Sequence, residues 1–424
     1  MARPSSVSSS IEDEVLIVGA GIAGLVLALD LHDAGIGCRV YEAVPEIAVV
    51  GVGINLLPHA SRILHQLGLG DELSAVGVTT AESAFFNRFG QLIYREPAGR
   101  YAGYDHPQYS IHRGDLQAVL LRAVRDRLGE DAVVLGHRCV RVEQDETGAT
   151  AYFRSADTDT ALPPVRARLV VGCDGIHSAI RKQLHPDEGE PRYSGINMWR
   201  GVTRGRPFLS GASMVRAGWL DQGKLVVYPI RHYTDGTGDQ LLNWVAEIAT
   251  PRHRQRDWNR RGDLADFIGA FEGWRLDSLD VPAMMRAAET ILEYPMVDQD
   301  PLDRWSFGRI TLLGDAAHPM VPRGSNGAGQ AILDVRALRR HLTTVPDPVT
   351  ALRAYEAERL PATSKVVLAN RSTPPDVILY EVWRRTGDRP FTSIEDVISA
   401  EELARISQRY KEVAGYSAEA LRNP

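Results

Sequence analysis

The chain has 424 residues, 44% of them hydrophobic, and a formal net charge of −6. That length supports one large core or several smaller ones, and the slightly acidic balance gives no electrostatic footprint for nucleic acid. No apolar run is long enough for a membrane span, so no transmembrane helix is expected.

Residues 1–11, MARPSSVSSSI, are rich in serine and lack the apolar core of a signal peptide. They read as a disordered tail. The three cysteines, Cys38, Cys139 and Cys173, are widely spaced, with no CxxC and no histidine cluster. They read as buried free thiols in a reducing cytoplasm, and no metal site is expected.

The first informative stretch is EVLIVGAGIAGLVLALDLHDAGIGCRVYEA, from Glu14 to Ala43. Val15 to Val18 is a short apolar run, as expected for a strand buried on both faces of a parallel sheet. Gly19, Gly21 and Gly24 follow as GxGxxG, and Ile22, Leu25, Val26 and Leu29 recur at helical spacing. Glycines in that turn let the backbone approach a pyrophosphate at the helix N-terminus, where free N–H groups and the dipole favour an anion. Glu42 ends the second predicted strand, where a carboxylate can accept hydrogen bonds from a ribose diol. The acid disfavours a 2′-phosphate, so FAD or NAD fits this site better than NADP.

Further along, YSIHRGDLQAVLLRAV predicts a helix starting near Asp115, with Arg113 just before it and Gln117 within its first turns. An arginine there can reach cofactor phosphates. In LVVGCDGIHSAIRKQL, Leu169 to Val171 reads as a strand, Asp174 as a carboxylate at its end, and Ser178 as the start of a helix. KLVVYPI and LLNWVAEI have the β-branched and aromatic content of strands, and WNRRGDLADFIGAFEGW reads as a helical interruption.

The last turn is RWSFGRITLLGDAAHPMVPRGSNGAGQAILD. Ile310 to Leu313 predicts a buried strand ending at Gly314 and Asp315, and a helix is expected to begin near Asn326 and Gly327. A second strand, loop and helix so far from the first has no use for a nicotinamide. It suits FAD, which is long: Asp315 can hold ribityl hydroxyls, and helix-start amides between Pro322 and Gly327 can meet the pyrimidine edge of the flavin. Pro322 stiffens that loop and Gly324 removes bulk. Beyond 346 the chain reads helical. Thr392–Glu395 and Ser399–Glu402 both match a capping box, which predicts two short helices over 392–411.

Three motifs thus stand in order: Gly19–Gly24, Asp174–Gly175 and Gly314–Asp315. With them the sequence resembles the group A flavoprotein monooxygenases, the para-hydroxybenzoate hydroxylase-like fold. GVGINLLPHA (Gly51–Ala60), PQYSIHRGDLQ (Pro107–Gln117), MWRGV (Met198–Val202), VPRGSNGAGQAILD (Val321–Asp334) and YKEVAGYSAEAL (Tyr410–Leu421) resemble its phenazine-hydroxylase-like subgroup. The likeness covers nearly the whole chain.

It implies an α/β fold: a discontinuous FAD-binding Rossmann-type domain over 12–80, 107–185 and 293–345, an inserted, mostly antiparallel substrate sheet over 81–106 and 186–292, and a helical region over 346–424. Glu42 would bind the adenosine ribose, Arg113 and Gln117 the pyrophosphate region, and Val140 the adenine. Asp315 would bind ribityl or pyrophosphate, while Gly53, Ile54 and Gly324 to Gly327 would border the isoalloxazine. Asp174 joins them as a cofactor-side carboxylate. Trp199, Arg200, Met214, Tyr228, Trp244 and Pro322 are candidates for the substrate pocket, Arg200 for a substrate carboxylate. His59 reads as structural or solvent-facing and His318 as structural. No catalytic base is identified.

The implied reaction uses transient NADH or NADPH and O2 to hydroxylate an aromatic or heteroaromatic small molecule through a C4a-hydroperoxyflavin. A monomer or homodimer is expected. An epoxidase or Baeyer–Villiger oxygenase on the same scaffold is the main rival. A halogenase needs a WxWxI segment, and none of the seven tryptophans has another two positions away. A non-catalytic flavin-fold protein would lose the late loop, which is intact.

Overall fold

The computed structural model describes residues 13–48, 51–251 and 260–422. The serine-rich tail, and Trp258 and Asn259 of the expected interruption, lie outside the described residues. The core begins at the strand Asp13–Val18, which pairs in parallel with Cys38–Tyr41 on one side and Val165–Gly172 on the other. The late strand Ile310–Leu312 pairs in parallel with Val165–Gly172. Three strand ends therefore lie side by side: Val18 opposite Gly172, and Gly172 opposite Leu312. Each runs directly into a turn that the sequence marks with glycine. The helix Ile22–Asp33 packs against this sheet with Leu25, Val26, Leu29 and Leu31 buried, as its apolar spacing requires.

A second sheet of eight strands is antiparallel apart from one parallel pair, Ser213–Trp219 with Glu82–Phe86. Its long central strands are Arg192–Gly205, Gly223–His232 and Gln240–Ala249. The expected division at 293 cuts through a strand: Ile291–Asp298 is continuous and pairs with Arg192–Gly205 in this sheet. Pro295 lies within that run, opposite Asn197, without ending it, so the strand extends as one piece. The expected helical interruption is also corrected. Its described part begins as a short strand, Arg260–Arg261, paired with Ile291–Asp298, and continues in two 3-10 turns, Leu264–Asp266 and Ile268–Phe271.

A small antiparallel sheet of Gly53–Leu56, Tyr109–His112 and Val78–Thr79 joins the two larger bodies. Helices Gly327–Thr344, Pro348–Ser372, Val377–Thr386 and Ala400–Val413 complete the chain with short flanking segments. Of the two expected helices over 392–411 only one forms. Ser399 caps Ala400–Val413 through the Glu402 amide, whereas Ile394–Asp396 is a 3-10 turn. There the Ser393 hydroxyl bonds the Glu395 side chain rather than a backbone amide, so no cap is made.

Candidate active site

The site is built from three turns brought together. In the first, Gly24 sits where a Cβ would lie 2.0 Å from the Gly19 carbonyl oxygen, so any side chain would push the helix off its own loop. Gly19, at φ +104°, backs onto the Cys173 carbonyl, 2.5 Å from the position of a Cβ. At Gly21 that position faces open space. No side chain caps the helix at Gly21 and no acidic residue lies in its first turn. Its free amides and dipole are available to an anion. Glu42 reaches across this loop: one oxygen accepts from the Ala20 amide at 2.6 Å, the other from the Val44 amide at 3.0 Å. Gln117 donates to the Ala20 carbonyl at 2.8 Å. Arg113 is exposed at the start of its helix, its amide bonded to the Val52 carbonyl. Val140 lies on the strand His137–Gln144 and lines an open groove with Lys182 and Ala179.

In the second turn Asp174 is bound by the chain itself. Its carboxylate accepts from the Ser178 hydroxyl at 2.5 Å and the Ala179 amide at 2.9 Å, and burial raises its pKa. It caps the helix Ala179–Leu184 together with Ser178, because an aspartate just before a helix start meets free amides first. Asp174 therefore supports the loop from behind. Sequence reasoning missed Arg181. It is buried, pairs with Glu188, and donates to the Ala316 and Ala317 carbonyls at 2.9 and 2.8 Å. An arginine on the buried side of a short helix was the available signal.

The third turn carries Gly314 at φ +64°, between the two helices: a Cβ there would lie 3.2 Å from both Ala23 and Ala331. Asp315 is exposed, and its carboxylate faces the helix start, 3.9 Å from where a Cβ on Gly327 would stand. The helix Gly327–Thr344 begins at Asn326 with no side-chain cap and no acid in its first turn. Pro322 is exposed and opens the 3-10 turn Pro322–Gly324, after which Ser325 takes a left-handed φ of 53°. His59 is fully buried, neither solvent-facing nor free: its Nε2 donates to Asn326 Oδ1 at 2.9 Å. Burial drives its pKa down to about 3, so the imidazole is neutral.

Strand alternation decides which residues of the second sheet meet these turns. Trp199 and Trp244 do not. Trp199 stacks on Phe267, Trp244 donates to Thr203, and both are buried in the core on the far face. Their neighbours Arg200 and Asn243 point the other way. The Gly53 carbonyl accepts from Arg200 Nη2 at 2.9 Å and from the Tyr228 hydroxyl at 3.0 Å, and its amide donates to Asn243 Oδ1 at 2.8 Å. Arg200, proposed for a substrate carboxylate, thus holds this peptide, with Ile54 beside it half-buried. Asn243 was missed, although it interrupts an apolar strand.

Met214 lines a narrow pocket that is partly open to solvent. Arg216, Gln108, Tyr104, Gly324, Lys411 and Tyr416 also face it. Arg216 is held by Ser83 at 2.9 Å and by Asp376 at 3.4 Å.

The donor set fits a long, flat, anionic dinucleotide. Two uncapped helix starts flank Gly314. Buried Asn326 Nδ2, Arg200 Nε and Asn243 Nδ2 have no hydrogen-bond partner among the described residues, and buried donors are rarely left so.

Comparison with known proteins agrees with that chemistry. The FAD binding domain family profile matches residues 12–225 and 277–370. The chain is 41% identical over 414 residues to phenazine 1,6-dicarboxylic acid hydroxylase of Lysobacter antibioticus, covering 97% of this chain and 99% of that one. It is 36% identical over 360 residues to 3-amino-4-hydroxybenzoate 2-monooxygenase of Streptomyces cremeus, covering 83% and 84%. A structure of a Klebsiella pneumoniae HpxO variant complexed with FAD superposes with a TM-score of 0.70 at 25% identity, covering 97% of each chain.

Proposed function

Because the chain belongs to the FAD binding domain family, we propose that it is a single-component monooxygenase that hydroxylates an aromatic or heteroaromatic ring with NADH or NADPH and O2. FAD held in the site would supply the redox chemistry, hydride acceptance from the nicotinamide and activation of oxygen. The carrying observation is the convergence of two uncapped helix starts, Gly21–Ile22 and Asn326–Gly327, on either side of Gly314.

The chain's own residues divide the work. Glu42 and the first helix start hold the adenosine and pyrophosphate end. Asp315 binds hydroxyls between the turns, and the second helix start stabilises negative charge at the ring end. Arg200, Tyr228 and Asn243 fix the Gly53 peptide as a wall. The pocket beside Met214 and Gly324 orients the substrate ring and excludes water, which would otherwise divert reducing equivalents to hydrogen peroxide. Arg216 and Lys411 face it together with Glu96, and each cation is already paired, Lys411 with Glu96 and Arg216 with Asp376.

No described helix is long and apolar enough to cross a membrane. The three cysteines are free, which suits the proposed cytoplasmic setting. The test is direct. The purified protein carries FAD in about equimolar amount, and phenazine-1,6-dicarboxylate or 3-amino-4-hydroxybenzoate stimulates NAD(P)H oxidation and appears hydroxylated by mass. A colourless protein that FAD does not stabilise defeats the proposal.

A further inference from the structure

The C-terminal segment meets the loop 321–326 directly at Gly324 and reaches each of its ends through one intervening side chain, Asn370 or His59. Tyr410 is buried and its hydroxyl donates to Asn370 Oδ1 at 2.7 Å. Asn370 Nδ2 in turn donates to the Val321 carbonyl at 3.2 Å, where the loop begins. The tyrosine also presses on Gly324, whose Cβ would stand 1.5 Å from the Tyr410 oxygen. At the other end the Tyr416 ring stacks on His59, centroids 5.5 Å apart and planes 16° apart, and His59 holds Asn326. Between them Gln330 donates to the Ala414 carbonyl at 2.9 Å.

The same segment forms one wall of the pocket. Ser407 and Lys411 bind Glu96 at 2.7 and 2.9 Å. Tyr104 donates to the Tyr416 carbonyl at 2.8 Å, and Tyr416 itself lines the pocket. The loop needs such support, because Ser325 is held in a left-handed conformation that only surrounding structure maintains.

We infer that Tyr410 and Tyr416 are positioning residues, which clamp the two ends of the loop 321–326 through Asn370 and His59 and tie its geometry to the substrate pocket wall. This rests on the reading that the loop borders the flavin. A loosened loop admits water, so more of the two electrons taken from NAD(P)H leave with O2 as H2O2 instead of entering the hydroxylation.

The FAD-loaded full chain is compared with its Tyr410→Phe, Tyr416→Leu and Tyr416→Phe variants. Measured are amide hydrogen exchange in residues 321–330, the H2O2 formed per NAD(P)H oxidised, and the melting temperature. Tyr410→Phe and Tyr416→Leu are expected to exchange about tenfold faster in this segment, as the loss of one buried contact predicts, and to release a larger peroxide share. Tyr416→Phe, which keeps the ring, restores the exchange rate. Lower melting temperatures with unchanged exchange in 321–330 would overturn the inference and leave the tyrosines as ordinary core. If no aromatic compound stimulates NAD(P)H oxidation, the proposed activity fails, while the exchange rates still decide the clamp.

Discussion

The Gly314 amide donates to the buried carboxylate of Asp334 across 3.3 Å. Asp334 thus fixes the late turn from a helix twenty residues downstream. The same carboxylate binds His318 Nε2 at 2.5 Å and Arg359 Nε at 2.7 Å. Burial pushes its pKa up, but the contacts with His318 and Arg359, both hydrogen-bonded to it, outweigh that and hold it below the ordinary range. Asp334→Ala leaves Arg359 buried without its counter-charge, at a cost of ~3–5 kcal/mol. Urea unfolding of the variant should show that loss, together with weaker FAD retention. A variant as stable as wild type would contradict it.

His59 makes stability depend on pH. Its folded pKa is about 3 against an ordinary 6.5, so on acidification the unfolded chain takes up the proton first. The contribution is full above the unfolded value and declines as pH falls toward the folded one. Near pH 5 the loss is on the order of 2 kcal/mol. Melting temperatures at neutral and mildly acid pH should fall further in wild type than in His59→Gln. Equal falls would assign the effect to other groups.

Gly324→Ala places a Cβ against the Tyr410 hydroxyl, at 1.5 Å. Relief needs movement of a buried ring or of the loop, which costs ~1–3 kcal/mol. FAD binding should weaken, and pairing the change with Tyr410→Ala should return part of it. Simple additivity of the two substitutions would show that they do not meet.

Glu42→Ala removes the acceptor for the Ala20 and Val44 amides in the loop proposed to hold the ribose. The FAD dissociation constant should rise by about tenfold or more, the scale of a lost charge-assisted hydrogen bond. Quenching of flavin fluorescence measures it. In wild type, FAD at a hundred times its dissociation constant should add ~2.7 kcal/mol of stability, and an unmoved melt would argue against the site.

Much of the scaffold was legible because its signals are local. Val15–Val18, the three glycines and the helix after them need only neighbours along the chain, as do the Ser178 and Ser399 caps and the helix start at Asn326. Asp174 shows a limit of chain-local signals: a carboxylate at a strand end can serve a ligand or the next helix, and only the fold shows that it binds the Ser178 hydroxyl and the Ala179 amide. Thr392 matched a motif whose backbone did not turn into a helix. Tyr410 and Tyr416 were visible as part of a likeness, but nothing adjacent to them shows which loop they touch.

The second sheet makes the division plainest. Chain spacing placed the strands and the turns between which a long cofactor fits, since periodicity and glycine placement are properties of short segments. It could not say which face of Arg192–Gly205 or Gln240–Ala249 looks toward those turns, because both faces are buried and both carry large side chains. Only the assembled fold settled that. Antiparallel register set Trp199 and Trp244 into the far core and turned Arg200 and Asn243 onto Gly53, since shifting a strand by one residue exchanges its two faces.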